Sequence, residues 1–396
     1  MPSVTDTRSG ASQASRAAVV SALRRGGPAT RQGLIEQTGI SRATISATLR
    51  TLLADGLIRE AETVPGAGRG RPAMLIELDP TRAELIGLEI GRAHVAAAVA
   101  DGADTVIAQA DIDVPAEDAI AVRTAAALEL LEQVADEHGV DLTGVQAVAV
   151  GTPGPKFRGG EHSSPDLALT RYSHERAMVA SQVADRFRCL VETDNNTRYM
   201  ALGEARSGAA AGARDVVYLR VDEGVGGGVV ADGALLSGHW GAAGEIGHVS
   251  VDPAGPRCPC GGRGCVELAA SLPALLRATG TGTPAALAEA AAEPANAAAL
   301  RAAAEAVAHA LAAVITSVNT SVVVLGGRVA GLPGFRDHVG TALRDQVPSW
   351  CAAELSVRAP ADDRAAGARG ALVRARQCTE SGPDRLLRAG NSRTAG

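Results

Sequence analysis

Hydrophobic and polar positions near the start of the chain predict three consecutive helices. A first helix is expected over residues 15–25, and a second, short one lies between a capping Thr30 and a terminating Gly39. Ser41 caps a third helix. The apolar residues of this helix recur at i, i+4, i+7 and i+8 and therefore share one face: Ile45, Leu49, Leu52 and Leu53.

A β-hairpin is predicted to follow the third helix. Residues 57–58 and 74–78 alternate as strands do, and the tip between them is rich in Gly and Arg. This order of elements is that of a winged helix-turn-helix, predicted for residues 15–80 after a disordered segment at 1–14. We expect the third helix to enter a DNA major groove and the arginines of the tip a minor groove. The predicted DNA contacts are Ser41, Arg42, Thr44, Ser46, Arg50, Arg69 and Arg71. A plain three-helix bundle with a hydrophilic face is the alternative.

Residues 81–378 show a similar pattern of strands and helices twice. The first half has its predicted elements at 85–101, 106–114, 122–137 and 145–155. The second half has them at 215–233, 295–318 and 321–327. Two βββαβα-like halves predict an α/β class protein with the two-lobed, ribonuclease H-like fold of actin and sugar kinases. Residues 379–396 are expected to form a flexible tail.

The amino-acid composition predicts the kind of core the protein has and its cellular location. The chain has 396 residues, of which 46% are hydrophobic and 2% aromatic, so its cores must be built from aliphatic side chains. No apolar run approaches the roughly 20 residues that span a bilayer, and the start lacks the apolar segment of a secretory signal. We therefore expect a soluble, cytoplasmic protein with no membrane partner.

The net charge of −6 is unevenly distributed. Residues 15–72 carry nine arginines and four acids, a net charge of +5. The rest of the chain must therefore carry a net charge of −6 − 5 = −11. A basic head on an acidic body is expected when only the head meets DNA phosphates. An ordinary solvated surface is the alternative explanation.

Three clustered cysteines indicate a metal site. Cys258, Cys260 and Cys265 lie within eight residues and are separated by glycines that permit tight turns. Three thiolates can converge on one Zn²⁺, and a tetrahedral structural site needs a fourth ligand, for which His248 is the nearest upstream histidine. Three free thiols in a flexible loop are the alternative. The isolated cysteines at 189, 351 and 378 are expected to be packed or exposed thiols, because a cytoplasmic chain should not form disulfides.

The sequence around these cysteines resembles the ROK family of repressors, open reading frames and kinases. That family carries Glu-x-Gly-His followed by Cys-x-Cys-Gly-x-x-Gly-Cys-x-Glu, and this chain has both motifs at 245–248 and 258–267. The resemblance covers roughly residues 12–378. It implies that zinc is bound by His248, Cys258, Cys260 and Cys265. It also implies that a sugar site is lined by Glu245, His248 and Glu267.

Other segments resemble the sugar site of the family. Residues 151–155 are similar to a sugar-proximal turn, and 164–167 are similar to its Pro-Asn-Leu segment with Asp166 in place of Asn. Residues 192–196 resemble Glu-Asn-Asp-Ala-Asn, in which the Asp is the kinase general base. Asp194 keeps that carboxylate and is expected to bind the ligand, whereas Thr193 replaces an amide that binds sugar hydroxyls.

The two phosphate-binding segments depart from the kinases of the family. Where kinases have a sequence like Asp-Ile-Gly-Gly-Thr, residues 89–93 read Glu-Ile-Gly-Arg-Ala and lack the hydroxyl. The second loop, normally Gly-Thr-Gly-x-Gly-Gly-Gly, begins here with Asp222 and Glu223. At about 4 Å and an effective dielectric near 20, each like-charge pair with a phosphate costs about 4 kcal/mol. We therefore expect no ATP binding and no catalytic residue.

The leading hypothesis is a repressor that binds a double-stranded DNA operator under the control of a small sugar or sugar phosphate. The resemblance implies a homodimer or homotetramer, whose paired recognition helices would match palindromic half-sites. One alternative is an ATP-dependent sugar kinase with an added DNA-binding domain. Another is a DNA-binding protein with a vestigial sensor that responds to oligomerisation or to a protein partner.

Overall fold

The computed structural model describes residues 4–64, 73–157 and 167–381. Its contacts divide the chain into two units. The first unit holds the residues up to Ile86 together with Ala98–Gln109 and Leu131–Gln146, and the second holds Gly87–Ala97, Ala110–Leu130 and the chain from Ala147 onward.

The start of the chain forms the predicted helices and hairpin. Its elements are α1 (Val4–Gly26), β1 (Ala29–Thr30), α2 (Arg31–Thr38), α3 (Arg42–Ala54), β2 (Ile58–Val64) and β3 (Ala73–Leu78). The predicted caps are confirmed: the side chain of Thr30 accepts from the Gly33 amide at 3.1 Å, and that of Ser41 accepts from the Thr44 amide at 3.3 Å. The predicted apolar face of α3 is buried at Ile45, Leu49 and Leu52, while Leu53 is partly buried.

Two features of this region differ from the prediction. Helix α1 begins at Val4, so residues 4–14, expected to be disordered, are helical. That segment contains no proline to stop a helix, and it runs directly into the apolar positions that anchor α1. The short strand β1 was not predicted; it pairs antiparallel with β3 and makes a three-stranded sheet of order β1-β3-β2.

Two five-stranded sheets with the same topology follow along the chain. The first is built from β4 (Leu85–Ile90), β5 (His94–Ala100), β6 (Val106–Asp113), β7 (Ala147–Thr152) and β8 (Leu190–Asn195). The second is built from β9 (Val216–Val221), β10 (Val225–Ala231), β11 (Ala234–Leu235), β12 (Val322–Gly326) and β13 (Ser356–Arg358). Their orders, β6-β5-β4-β7-β8 and β11-β10-β9-β12-β13, both place the third, second, first, fourth and fifth strands side by side. This repeat agrees with the two βββαβα-like halves predicted from the sequence.

Helices connect the strands. In the first half they are α4 (Ile120–His138), α5 (Leu167–Phe187) and α6 (Asn196–Ser207). In the second half they are α7 (Val266–Ala270), α8 (Leu272–Thr279), α9 (Pro284–Glu289), α10 (Pro294–Val318), α11 (Phe335–Gln346), α12 (Ser349–Ala352) and α13 (Ala366–Ser381). A single 3₁₀ turn is assigned within the described ranges, at Ile246–His248, and Glu245 directly precedes it.

Helix α10 corrects one expectation. It has 25 residues and is long and apolar enough to cross a membrane by length and composition, although the sequence was expected to contain no such segment. Half of its most apolar window is buried inside the protein, and Val307, Leu311 and Ile315 are fully buried in the core beside β9 and β12. An alanine-rich core helix passes the same test, so this helix is weak evidence for a membrane span.

Several predicted features lie outside the described residues. They include the wing-tip arginines Arg69 and Arg71, the residue Asp166 and the chain from 382 onward. The predicted tail began at residue 379, but helix α13 extends to Ser381.

Candidate functional site

The outer face of α3 presents the polar residues expected to contact DNA. Arg42, Thr44 and Arg50 are exposed, and Ser46 is partly buried. The Ser41 and Thr44 hydroxyls lie 2.9 Å apart at the start of the helix, so both side chains also serve the cap. Helix α3 packs through its apolar face and exposes its polar face with two arginines. The exposed face can therefore contact a nucleic acid without rearrangement of the helix.

Four side chains converge on one point, and they can hold a metal ion. The ligand atoms of His248, Cys258, Cys260 and Cys265 all lie within 4.8 Å of one another. The Cys260 and Cys265 sulfurs are 3.6 Å apart, and Cys258 Sγ is 3.8 Å from His248 Nδ1. Four ligands about 2.3 Å from one ion are about 3.8 Å from each other in a tetrahedron. The donor set and its spacing therefore fit a tetrahedral metal site.

Tight turns of the backbone bring these ligands together. The Cys258 amide donates to the Gly262 carbonyl at 2.9 Å, and the Gly262 amide approaches Cys260 Sγ at 3.4 Å. Gly264 has a φ of 55°, and a Cβ there would collide with the Asp252 carbonyl. Glycine is required at this position because any side chain would open the turn that precedes Cys265.

Asp194, the predicted ligand-binding carboxylate, is held by a buried arginine. Arg198 Nε donates to Asp194 Oδ1 at 2.9 Å, and the Asn195 amide donates to the same oxygen at 2.7 Å. Arg198 is 1% exposed and Asp194 7%. Arg198 follows Asp194 by four positions across the start of α6, where such pairs meet. These two hydrogen bonds fix the orientation of the carboxylate.

Glu245 lies beside this pair. Asn195 Nδ2 donates to the Gly154 carbonyl at 3.0 Å and reaches Glu245 Oε1 at 3.5 Å. Burial raises the pKa of Glu245 to about 7, against the opposing charges of Arg198 and Arg176. The structure therefore brings together Asp194 and Glu245, two of the side chains predicted to bind a ligand.

Arg176 closes the other side of the turn at residues 151–155. Its guanidinium donates to the Gly154 and Pro155 carbonyls, both at 2.9 Å, and to the Thr152 hydroxyl at 3.2 Å. Burial lowers the pKa of Arg176, which the nearby carboxylate of Asp194 opposes. The turn that resembles the sugar-proximal segment is therefore held rigid from behind.

The pKa of Glu245 is also raised by the charge of Glu267, which is another residue predicted to line the ligand site. Glu267 Oε2 accepts from the Val225 amide at 2.9 Å, and a Cβ on Gly224 would come within 2.8 Å of it. The Glu267 carboxylate thus braces the turn between β9 and β10. His248 also has a second role, since its Nδ1 faces Cys258 in the metal cluster.

The first phosphate-type segment contains a buried acid–histidine pair. Glu89 Oε1 lies 3.1 Å from His94 Nε2, and the Glu89 side chain is fully buried. Burial lowers the pKa of His94, but the charge of Glu89 and its direct interaction with the ring together outweigh burial, so the net pKa is raised above 6.5. Arg92 is exposed and donates to the Tyr172 hydroxyl at 3.3 Å.

The second phosphate-type loop is closed by arginines. Arg328 donates to Asp222 Oδ1 and to Glu223 Oε1, both at 2.6 Å, and Arg220 Nη2 donates to Asp222 Oδ2 at 3.0 Å. The two acids are therefore not the bare charges expected from the sequence, and their repulsion of a phosphate is reduced. A phosphate would instead have to displace these ion pairs.

An open cavity of about 320 Å³ lies next to this loop. Arg328 forms part of its wall, and the remaining lining is apolar: Leu272, Pro284, Ala285, Ala288, Gly331, Leu332 and Pro333. The cavity is separated in sequence from the residues around Asp194.

The sequence analysis did not identify the arginines and the histidine that pair with Glu89, Asp194, Asp222 and Glu223. Arg198 had a weak local signal, because it follows Asp194 by four positions, a spacing at which side chains meet when the segment is helical. His94, Arg220 and Arg328 had none, since their pairing partners are set by the packing of strands and loops.

Comparison with known proteins extends these observations. A profile of the ROK family matches residues 85–378, and a profile of a helix-turn-helix domain matches residues 11–61. The DNA-binding transcriptional dual regulator NagC of Escherichia coli K12 is 29% identical over 261 residues, covering 65% of this chain and 63% of that protein. The match thus spans less than two thirds of the length of that relative.

Two solved structures are similar in fold. The ROK hexokinase from Thermus thermophilus gives a TM-score of 0.61 at 30% identity, covering 74% of this chain and 98% of the hexokinase. A ROK family transcriptional regulator, a homologue of the Escherichia coli MLC protein, gives a TM-score of 0.64 at 23% identity over 91% and 95% of the two chains. At that identity the second likeness shows the fold alone.

Proposed function

The chain belongs to the ROK family, with a helix-turn-helix ahead of the actin-like sugar-kinase fold, and we propose that it is a transcriptional repressor controlled by a small sugar or sugar phosphate. The exposed polar face of α3 carries the proposal. Arg42, Thr44 and Arg50 stand free of the apolar core that fixes the helix, and DNA-binding helices need such a face. The similarity to the regulator NagC supports the same assignment.

We propose that the effector binds between Asp194 and Glu245. Paired carboxylates accept hydrogen bonds from adjacent hydroxyls, which suits a polyol. Glu267 and His248 are also predicted to line the site, and they would support it from the turn between β9 and β10 and from the metal cluster. A ligand that favours one conformation of the protein would shift DNA affinity by its differential binding to the two conformations.

The effector proposal is tested by titrating the complex of the full chain and its operator with hexoses, amino sugars and their phosphates. Glu245→Ala should abolish the response to the active sugar while leaving operator affinity without ligand nearly unchanged. Glu305→Ala, on the exposed side of α10, is the matched control. Loss of the response and of operator affinity together would contradict the proposal and indicate that Glu245 is structural.

We propose that the metal is one structural zinc ion. Three thiolates and one imidazole leave no position open for water, as in closed structural sites. When bound, zinc would supply a cross-link between the 3₁₀ turn at Ile246–His248 and the loop that carries the cysteines. Because Glu245 is adjacent to this turn, the ion would also stabilise the ligand site.

The alternative is an ATP-dependent sugar kinase, which the retained carboxylate of Asp194 favours. A general base supplies only about 10²- to 10⁴-fold in rate, and phosphoryl transfer depends mainly on positioning and neutralising the nucleotide. Both phosphate-type segments are occupied here by side-chain ion pairs, so we propose that the chain is not an enzyme. An assay with ATP, magnesium and a panel of hexoses and amino sugars should show no turnover. A rate of about 1–100 s⁻¹ would contradict this.

We propose further that the protein acts in the cytoplasm as a homodimer or homotetramer. A palindromic operator needs two copies of α3 at half-sites about one or two helical turns apart. Light scattering of the purified full chain tests this directly, since a monomer that still binds the operator tightly would contradict it.

A further inference from the structure

Arg198 joins two segments of the candidate ligand site that are distant in sequence. Its Nε binds Asp194, and its Nη1 donates to the carbonyls of Leu236 at 2.8 Å and of Ala243 at 2.5 Å. Nη2 lies 3.5 Å from the Ser237 hydroxyl. One buried guanidinium therefore contacts a ligand-binding carboxylate and both ends of the loop at residues 236–243.

The loop at residues 236–243 presents an exposed surface and leads into the ligand site. Trp240 is 55% exposed and Leu236 is 42% exposed, and the ring of His239 meets that of Trp240 edge to face. Gly244 and Glu245 follow immediately. A shift of the Arg198 guanidinium would therefore reach Trp240 on the surface and Glu245 in the site through the same short segment.

Burial of an arginine at this position costs desolvation free energy unless its N–H donors are hydrogen-bonded and its charge is paired. The planar guanidinium meets that condition here because its donors spread over a carboxylate and two carbonyls, a geometry that a lysine cannot reproduce. Removal of Asp194 would leave the buried charge uncompensated, and removal of the carbonyls would leave buried N–H donors unpaired. The positions of Asp194 and of the loop are therefore linked energetically as well as in space.

We propose that Arg198 is a positioning residue that couples the ligand site to the loop at residues 236–243. It holds Asp194 through Oδ1, so a ligand hydroxyl would be bound through Oδ2, and movement of the carboxylate is passed to the Leu236 and Ala243 carbonyls. The ligand half of this inference, that Asp194 binds a ligand hydroxyl, rests on the proposed function. The loop half, that Arg198 holds residues 236–243, does not.

Hydrogen exchange of the full chain without ligand tests the loop half. Arg198→Lys keeps a cation beside Asp194 but cannot span both carbonyls, so amides in 236–243 should exchange about tenfold faster, equivalent to about 1.4 kcal/mol in the opening free energy. Arg206→Met, an exposed position on the same helix α6, should leave exchange unchanged. Unchanged exchange in both Arg198→Lys and Arg198→Met would overturn the proposal. Thermal unfolding of each variant shows that it is folded.

The coupling is then tested with glucose, N-acetylglucosamine and their 6-phosphates. A compound that binds the wild type should slow exchange in 236–243, and in Arg198→Lys it should still bind, by calorimetry, without slowing the loop. Equal slowing of the loop in both proteins would overturn the coupling. If none of the four compounds binds, the proposed effector class fails, and the exchange measured without ligand still decides the role of Arg198 toward the loop.

Discussion

Arg24 and Glu84 form an ion pair, with 3.1 Å between Nη2 and Oε1 and side chains that are only 18% and 7% exposed. Arg24 Nε also donates to the Gly102 carbonyl at 2.6 Å. Arg24 lies in the last turn of α1, Glu84 directly precedes β4, and all three residues belong to the first unit. The first helix of the DNA-binding region is thereby tied to the chain that enters the first five-stranded sheet.

Arg24→Met should loosen this attachment of α1. Hydrogen bonds that involve a charged group contribute about 1.5–3 kcal/mol, so a loss of about 2 kcal/mol would make amides at the end of α1 exchange roughly thirtyfold faster. Native-state hydrogen exchange of residues 18–26 measures this. Arg25→Met is the control, because Arg25 is exposed and its guanidinium donates to the Ser21 hydroxyl within the same helix. Equal exchange in the two variants would contradict a stabilising role for the pair.

The local features of the DNA-binding region could be predicted because short sequence patterns determine them. Thr30 and Ser41 cap helices through their own side chains, and Gly39 ends α2 with a φ of 67°. The extent of α1 could not be predicted, because residues 4–14 are mostly small and polar and show no apolar helical pattern in the sequence. Strand β1 has two residues and exists only through its pairing with β3.

Cys260→Ser should remove the metal and lower thermal stability together. Cys260 is the most exposed of the four ligands, so its replacement removes a metal–sulfur bond with little loss of packing. Metal analysis of the wild-type chain should find about one zinc per chain, and the variant should contain much less. The melting temperature should fall in the same variant.

Cys189→Ser is the matched control for the metal site. Cys189 is partly buried and lies outside the cluster, so zinc content should not change. Wild-type protein that is folded and free of metal would contradict the structural site. A variant at Cys260 that keeps a full equivalent of zinc would contradict the assignment of that ligand.

His94→Gln should reduce stability most at low pH. The pKa of His94 is raised in the folded protein, so its charged form stabilises the fold fully below about pH 6.5. That contribution is lost as the pH rises through the raised value. The difference in unfolding free energy between wild type and variant should therefore shrink from pH 6 to pH 9.

Several charged groups surround His94 and enter this interpretation. Glu89 lies 3.1 Å away, and Arg220 and Arg364 oppose its protonation. Urea unfolding at a series of pH values measures the effect, with His338→Gln as the control on the exposed face of α11. A difference that is independent of pH, or that grows with pH, would contradict a charged His94 in the fold.

The candidate site could be predicted from sequence only in part. The spacing of Cys258, Cys260 and Cys265 predicted a cluster that the structure confirms, because the ligands lie on one short loop. The acids at 222 and 223 were identified, but their neutralisation was not, since Arg328 comes from a different segment of the chain. Ion pairs between residues that are distant in sequence produce no local sequence pattern. Such pairs neutralise the acids of the second phosphate-type loop.

We propose that the full chain is a repressor that binds DNA through α3 and responds to a sugar. The most direct measurement is selection of fragments of its own genome on the purified chain, followed by the affinity of the enriched fragment for wild type, Arg50→Ala and the control Arg206→Ala. We predict that a specific fragment is enriched and that a sugar shifts its affinity. Arg50→Ala should weaken binding and lower the salt slope by about 1, because one arginine no longer neutralises a phosphate. Enrichment of no fragment, or equal affinity of all three proteins, would contradict the account.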